Sequence, residues 1–143
     1  MSTYFTELGQ KSYLATPVTI NYTTVGEYYE PTGYFTRSNY GGFNVVEDVI
    51  TYTGQKNNFL FNLTGTVQSS TPNTIFTFAL ILNDILDTWS ETIIETEKVT
   101  DIITFNLVSI NHLQAGDTLK FKFKADKEAD VTLHTFFGIV QPF

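Results

Sequence analysis

Four of the eight basic side chains crowd into one short stretch. In HLQAGDTLKFKFKA, residues 112–125, Lys120, Lys122 and Lys124 alternate with Leu119, Phe121, Phe123 and Ala125, and Lys127 follows in the next turn. A row of ammonium groups along an extended chain suits an anion or an acidic polysaccharide. The same pattern describes a half-buried strand whose solvated side is lysine. Such lysines guard a sheet against edge pairing and meet carboxylates across it. Glu91, Glu95 and Glu97, in an earlier alternating run, are the expected partners. We therefore read this stretch as a strand first and a site second.

The other chemistry-bearing types are thinly spread. His112 and His134 lie 22 positions apart, and no His-x-His pair exists for a metal-dependent oxygenase. His134, in a core-like run, reads as a satisfied buried or interface histidine. Asn83, Asp84 and Asp87 could offer oxygens to calcium, but their spacing fits a hairpin tip better. The 15 carboxylates cannot be sorted from sequence into an acid and base pair for glycoside hydrolysis. No Gly-x-Ser-x-Gly or Gly-rich phosphate loop occurs. The absence of Cys excludes disulfides, zinc-thiolate centres and thiol nucleophiles. We expect no enzyme, no catalytic residue, no metal and no cofactor.

A recognition site is easier to place. GEYYEPTGYFTRSNYGGF, residues 26–43, carries Tyr28, Tyr29, Tyr34, Arg37, Asn39 and Tyr40 among glycines. Tyr beside Gly, Ser and Asn makes adaptable recognition loops, since Tyr gives contact area at small entropic cost. These six are the candidate ligand or receptor loop. The competing reading is packing beneath the loops or against a neighbouring subunit.

These residues need strands to position them. Val18–Val25, Asp48–Thr53 and Asn58–Gln68 alternate; residues 90–97, 101–110 and 117–125 do the same. Thr74–Asn83 and Asp130–Val140 are apolar on both sides, which calls for burial on both sides. The 15% aromatic share, with abundant Thr and Ile, favours pleated surfaces. Eight to ten strands at this spacing predict a sandwich or barrel. The long connection over residues 26–48, read as loops around a short strand near residues 33–36, suits a Greek-key crossing. Net charge is −7, which disfavours nucleic acid and anionic lipid, and no long apolar run spans a membrane. The start, MSTYFTELGQKSY, has neither the basic nor the apolar region of a signal peptide.

The C-terminal 85 or so residues resemble the jelly-roll family of tumour necrosis factor and the complement globular heads. The matching pieces are Phe59–Val67, Phe76–Asn83, Leu113-Gln114-Ala115-Gly116-Asp117 and the closing Phe136-Phe137-Gly138-Ile139-Val140. The resemblance implies an all-β jelly-roll β-sandwich that assembles as a trimer. The chain has no Cys and no collagen-like stalk, and it looks most like the bacteriophage and viral virion branch. The expectation is a non-enzymatic virion structural or adhesion protein: a phage head fibre, a capsid decoration or a receptor-binding tip, made in the host cytoplasm. Residues 1–16 are expected to be an N-terminal arm or edge strand, and residues 17–143 a single domain. The expected partners are further copies of itself, other virion or capsid proteins, and a host surface glycan or receptor. No nucleic acid and no membrane are expected. Phe76, Phe78, Leu80, Leu82, His134, Phe136 and Val140, on the doubly apolar strands, are the candidate subunit interface. The alternative is a carbohydrate-binding lectin or cytokine-like ligand outside a virus.

Overall fold

Alternating sequence becomes strand nearly everywhere in the computed structural model, which describes residues 6–11, 17–31, 43–46 and 49–142. The strands are β1 (Thr6–Lys11), β2 (Val18–Tyr22), β3 (Phe43–Val46), β4 (Val49–Tyr52), β5 (Asn57–Ser69), β6 (Thr74–Leu82), β7 (Ile85–Leu86), β8 (Thr92–Thr96), β9 (Ile103–Leu113), β10 (Thr118–Ala125) and β11 (Ala129–Pro142). A single 3₁₀ turn, Thr88–Ser90, precedes β8. The described residues thus hold eleven strands where eight to ten were expected. β1 falls within the segment expected to be an arm or edge strand, whereas β3, inside the connection expected over residues 26–48, and the two-residue β7 after the Asn83-Asp84 turn were not expected. The strand expected near residues 33–36 lies outside the described residues.

All pairings are antiparallel and form two sheets. The first runs β1-β11-β5-β9, with β2 sharing the β11 edge with β1. The second runs β3-β4-β10-β6, with β7 and β8 in tandem along the far edge of β6. Strands distant in sequence pair at the centre of each sheet, β11 with β5 and β10 with β6. This is the crossing pattern of a jelly roll.

The core is aromatic. Phe78 of β6 and Phe105 of β9 stack across the sandwich with centroids 3.9 Å apart and planes at 9°. Phe121 of β10 lies parallel to both, and Phe136 of β11 tilts against it at 4.8 Å. Phe43, Tyr52, Phe59 and Phe61 make a second, mostly edge-on group. Aromatic pairs of this kind contribute beyond their buried area. Gly65 permits the close approach. A Cβ there would stand 2.6 Å from the Phe105 ring and 2.7 Å from the Thr135 carbonyl oxygen.

Two corners fix the connections. Asn83 and Asp84 both adopt positive φ, 49° and 64°, which suits a tight hairpin. Gly116, at φ 96°, turns β9 into β10 and donates its N–H to the Tyr52 carbonyl at 2.7 Å. Asp117 clasps the two corners together. It accepts from the Gln114 N–H and from the Asn83 amide, each at 2.9 Å. These bonds, the Gln114 N–H first, hold its carboxyl below the usual carboxylate range.

Candidate interaction surfaces

Strand β10 settles the lysine question. Leu119, Phe121, Phe123 and Ala125 are buried, and Lys120, Lys122 and Lys124 are half-buried on the other side. Register explains the half-burial: Lys120, Lys122 and Lys124 lie opposite Ile81, Ala79 and Thr77 of β6. Their aliphatic stems run beside these residues while the ammonium groups reach outward. The expected partners Glu91, Glu95 and Glu97 do not meet them. Strand β6 separates β10 from β8. Among the described residues both ion pairs belong to Lys120, with Glu30 at 4.0 Å and Asp84 at 3.5 Å. Lys124 sits 4.9 Å over the Tyr28 ring. Among the described residues no group of three His, Cys, Asp or Glu side chains could hold a metal ion.

Of the six recognition-loop candidates, Tyr34, Arg37, Asn39 and Tyr40 lie outside the described residues. Tyr28 and Tyr29 belong to a segment docked on β10 beyond the end of its short pairing with β4. Tyr29 and Phe123 exchange backbone hydrogen bonds, and the Tyr29 ring packs on Phe123. Tyr28 turns to the lysine side. Burial, and then the nearby Glu91 carboxylate, push its phenol up to about 12. The structure thus gives these two tyrosines packing contacts.

The seven interface candidates divide differently from the expectation. Phe76, Phe78, Leu80, Phe136 and Val140 are buried inside the single chain, and Leu82 packs against that core. Their side chains are already used, so they offer a partner no surface. The doubly apolar pattern has an internal cause. One side of β6 faces the aromatic core, and the other carries Thr77, Ala79 and Ile81, which are buried beside the lysine stems. His134 alone lies outward, half-buried, with Nε2 2.7 Å from Gln68 Oε1.

The open surface is elsewhere, on the outer side of the first sheet. Strand β5 presents Leu60, Asn62, Thr64, Thr66 and Gln68; β9 presents Thr104, Asn106, Val108, Ile110 and His112. They pair rung by rung, Leu60 with Ile110, Asn62 with Val108 and Thr64 with Asn106. Polar side chains here bond to each other: Thr64 to Asn106 at 3.2 Å, Thr66 with Thr135 at 2.8 Å and Thr19 with Thr132 at 3.2 Å. Residues 57–69 and 103–113 contain no Asp, Glu, Lys or Arg, although the chain holds 23 such residues. On β11, Asp130 is the one such residue, and it lies at the start of the strand.

This face continues round the β9 edge into exposed apolar surface. Trp89 is 93% exposed and Ile110 65%. With Val108 and Ser109 they line an open cleft of about 430 Å³. Behind it, Asp87 caps the Thr88–Ser90 turn and accepts from the Ser109 hydroxyl, which in turn accepts from the Asn111 amide at 2.8 Å. That chain of bonds fixes the turn carrying Trp89 to β9. Sequence reasoning missed this surface. Its signal was the pair of charge-free strands in a strongly acidic chain.

No family model matches the sequence, and no curated protein matches it. Solved structures do. Murine APRIL at pH 8.5 superposes with TM-score 0.56 at 17% identity, covering 87% of this chain and 94% of that one. Murine APRIL at pH 5.0 gives 0.57 at 14% identity, covering 87% and 98%. Eiger TNF from S. frugiperda gives 0.59 at 11% identity, covering 96% and 91%. The fold is the TNF-like jelly roll. At these identities the likeness is one of architecture, and it extends the sequence resemblance from the C-terminal part to nearly the whole chain.

Proposed function

We propose that this is a non-enzymatic, self-assembling jelly-roll module, which buries the outer side of its first sheet against copies of itself. The charge-free face formed by β5 and β9 carries this reading. Depletion of charge distinguishes the centre of a protein interface from ordinary surface. Here the depletion is confined to one side of the sandwich, while the opposite side carries Lys120, Lys122, Lys124 and Glu91. Val108, Ile110 and Trp89 supply apolar area. Fully burying a side chain of this size contributes about 1.5–3 kcal/mol before ordering costs. The resemblance to tumour necrosis factor makes a homotrimer the preferred assembly. The proposed outside partner is a receptor or glycan. We place it in a virion, as a head fibre, capsid decoration or receptor-binding tip, on its Cys-free, acidic, Thr- and Tyr-rich composition.

A cytokine-like ligand outside a virus is the second reading. It is favoured by the superposition on murine APRIL and Eiger TNF. Solution mass by light scattering over a dilution series tests the assembly. A stable mass three times the 16.2 kDa chain supports it, and a folded monomer at all concentrations overturns it. Probing purified virus particles for the chain by mass spectrometry separates the two settings.

A further inference from the structure

Both histidines of the chain lie on the charge-free face, and they are the groups there whose charge changes near neutral pH. His134 is half-buried on β11, and His112 is exposed at the end of β9. We propose that protonation of His134 loosens the assembly, so that the chain associates at neutral pH and separates in mildly acidic surroundings. This rests on reading the outer side of the first sheet as the contact between copies.

Hydrogen bonding fixes which nitrogen of His134 takes the proton. Gln68 donates its Nε2 to the Val99 carbonyl at 2.9 Å, which leaves its Oε1 facing the His134 ring. His134 Nε2 is therefore the donor in that bond, and Nδ1 carries the free lone pair. The incoming proton lands on Nδ1, away from Gln68, and the ring becomes an imidazolium with an intact bond to its neighbour.

Among the described residues no carboxylate forms an ion pair or hydrogen bond with the ring. Strands β5 and β2, which flank this part of β11, contain no Asp, Glu, Lys or Arg. On β11 itself the only such group is Asp130, four positions away and exposed. Strand β1 brings Glu7 and Lys11, opposite Ile139 and Phe136 rather than His134. The turn that holds Gln68 carries one charge of each sign, Lys98 and Asp101, and the Asp101 carboxylate accepts from the Lys98 N–H at 2.8 Å rather than from the His134 ring. His112 differs: its Nδ1 meets Asn58 Oδ1, and Asp117 is close enough to feel its charge. A positive His112 has a counter-charge, while a positive His134 has no ion-pair partner among the described residues, and burying an unpaired charge opposes association.

The sign follows from linkage. Covering His134 disfavours its protonated form, so the separated state binds more protons as pH falls. Association is full at neutral pH and is lost as pH falls into the range where imidazoles charge. If covering opposes protonation by a factor of ten, the dissociation constant rises by up to about tenfold per copy in acid, and by up to about a thousandfold for three copies together.

The experiment is sedimentation velocity of the full chain between pH 8 and pH 5, with far-ultraviolet circular dichroism alongside. The expected result is an oligomer at pH 8 that dissociates into folded subunits by pH 5, with H134Q remaining assembled and H112N behaving like the parent. Glutamine keeps a donor for Gln68 and cannot charge. An oligomer that persists unchanged at pH 5 overturns the switch and leaves the assembly reading intact. Dissociation that H134Q fails to suppress also overturns it, assigning the effect to carboxylates. A monomer at every pH overturns the assembly reading, and the switch with it. If H134Q fails to fold, nuclear magnetic resonance of the imidazoles decides. His134 must titrate at lower pH at assembling than at dilute concentration, and equal titration refutes the proposal.

Discussion

Replacing Ile110 by lysine separates the stability of the chain from the stability of its assembly. Ile110 is 65% exposed, so an isolated subunit has little burial to lose. Substitutions at such positions usually change stability by no more than about 0.5 kcal/mol. In the proposed assembly the same site is covered. The variant then forgoes about 1–2 kcal/mol, which is the exposed share of the 1.5–3 kcal/mol for burying a whole isoleucine. It also places an ammonium in a contact whose nearest rungs are Leu60 and Asn62–Val108, with no carboxylate among them. An unpaired charge in such a place costs several kcal/mol more, although a lysine near the rim escapes part of this by reaching for solvent. Taking about 4 kcal/mol in all, each contact weakens about a thousandfold. Light scattering over a dilution series reads that shift, and thermal unfolding read at a monomeric dilution checks the fold. The reasoning fails if I110K keeps the parent mass down to the same concentration. It also fails if lost mass comes with a lower melting temperature of the subunit itself, because Ile110 would then belong to the core.

Three further perturbations test other parts of the account. Gly65→Ala forces a Cβ against the Phe105 ring and the Thr135 carbonyl oxygen; the ring cannot retreat because Phe78 stacks behind it at 3.9 Å. We expect a loss of about 2–3 kcal/mol in denaturant titration, and an unchanged midpoint would refute the close approach. Asp117→Ala removes the clasp between the Asn83 and Gln114 corners. Because the folded-state carboxyl is held low, its stabilisation is present above the ordinary carboxylate range and is lost as pH falls through the lowered value. The variant should therefore lose more stability at pH 7 than at pH 2, and an equal loss at both would count against the charge. Tyr28, pushed up to about 12, should ionise after the ordinary tyrosines; its contribution holds below about pH 10 and fades as pH rises through 12. Comparing the phenolate absorbance of the parent and a Tyr28→Phe variant checks it, and the loss of an ordinary transition near pH 10 would refute it.

The sandwich was legible because period-two alternation is a direct consequence of one buried and one wet side. Phe59, Phe61, Leu63 and Val67 could be assigned to one face of β5 from spacing alone, and all four are buried. The corner at Gly116 and the hairpin at Asn83 were legible for a different reason, namely that few residues accept positive φ. The partners of the lysines were not legible. Which strand lies beside β10 is a question of crossing order, and alternation carries no information about it. For a related reason, the burial of most of the interface candidates inside the subunit was not legible. Apolar residues on both sides of β6 report burial without saying what does the burying, and the lysine stems of β10 do part of it. The surface that is left open shows in the sequence as something missing, charge across residues 57–69 and 103–113, and missing charge stands out only once the two runs are known to be neighbours.

The edges of the two sheets make the same argument from backbone chemistry. A terminal strand presents unpaired N–H and C=O groups, and proteins guard such edges with charge, proline or brevity. Strand β8, at the edge of the second sheet, is five residues long, contains Glu95, is flanked by Glu91 and Glu97, and exposes Ile93. Like charges there repel any second copy that would extend the sheet. Strand β9, at the edge of the first sheet, is eleven residues long, with no Pro and no Asp, Glu, Lys or Arg. It carries Val108 and Ile110 exposed beside Trp89. One molecule thus flanks its short edge with three carboxylates and leaves the longer edge without charge. An edge left bare on a free monomer is an aggregation hazard, whereas an edge that is always covered needs no guard. The asymmetry is explained if β9 and the face beside it are covered whenever the chain is at working concentration. This is why the assembly, rather than the lysine row that first draws the eye, is the function to test.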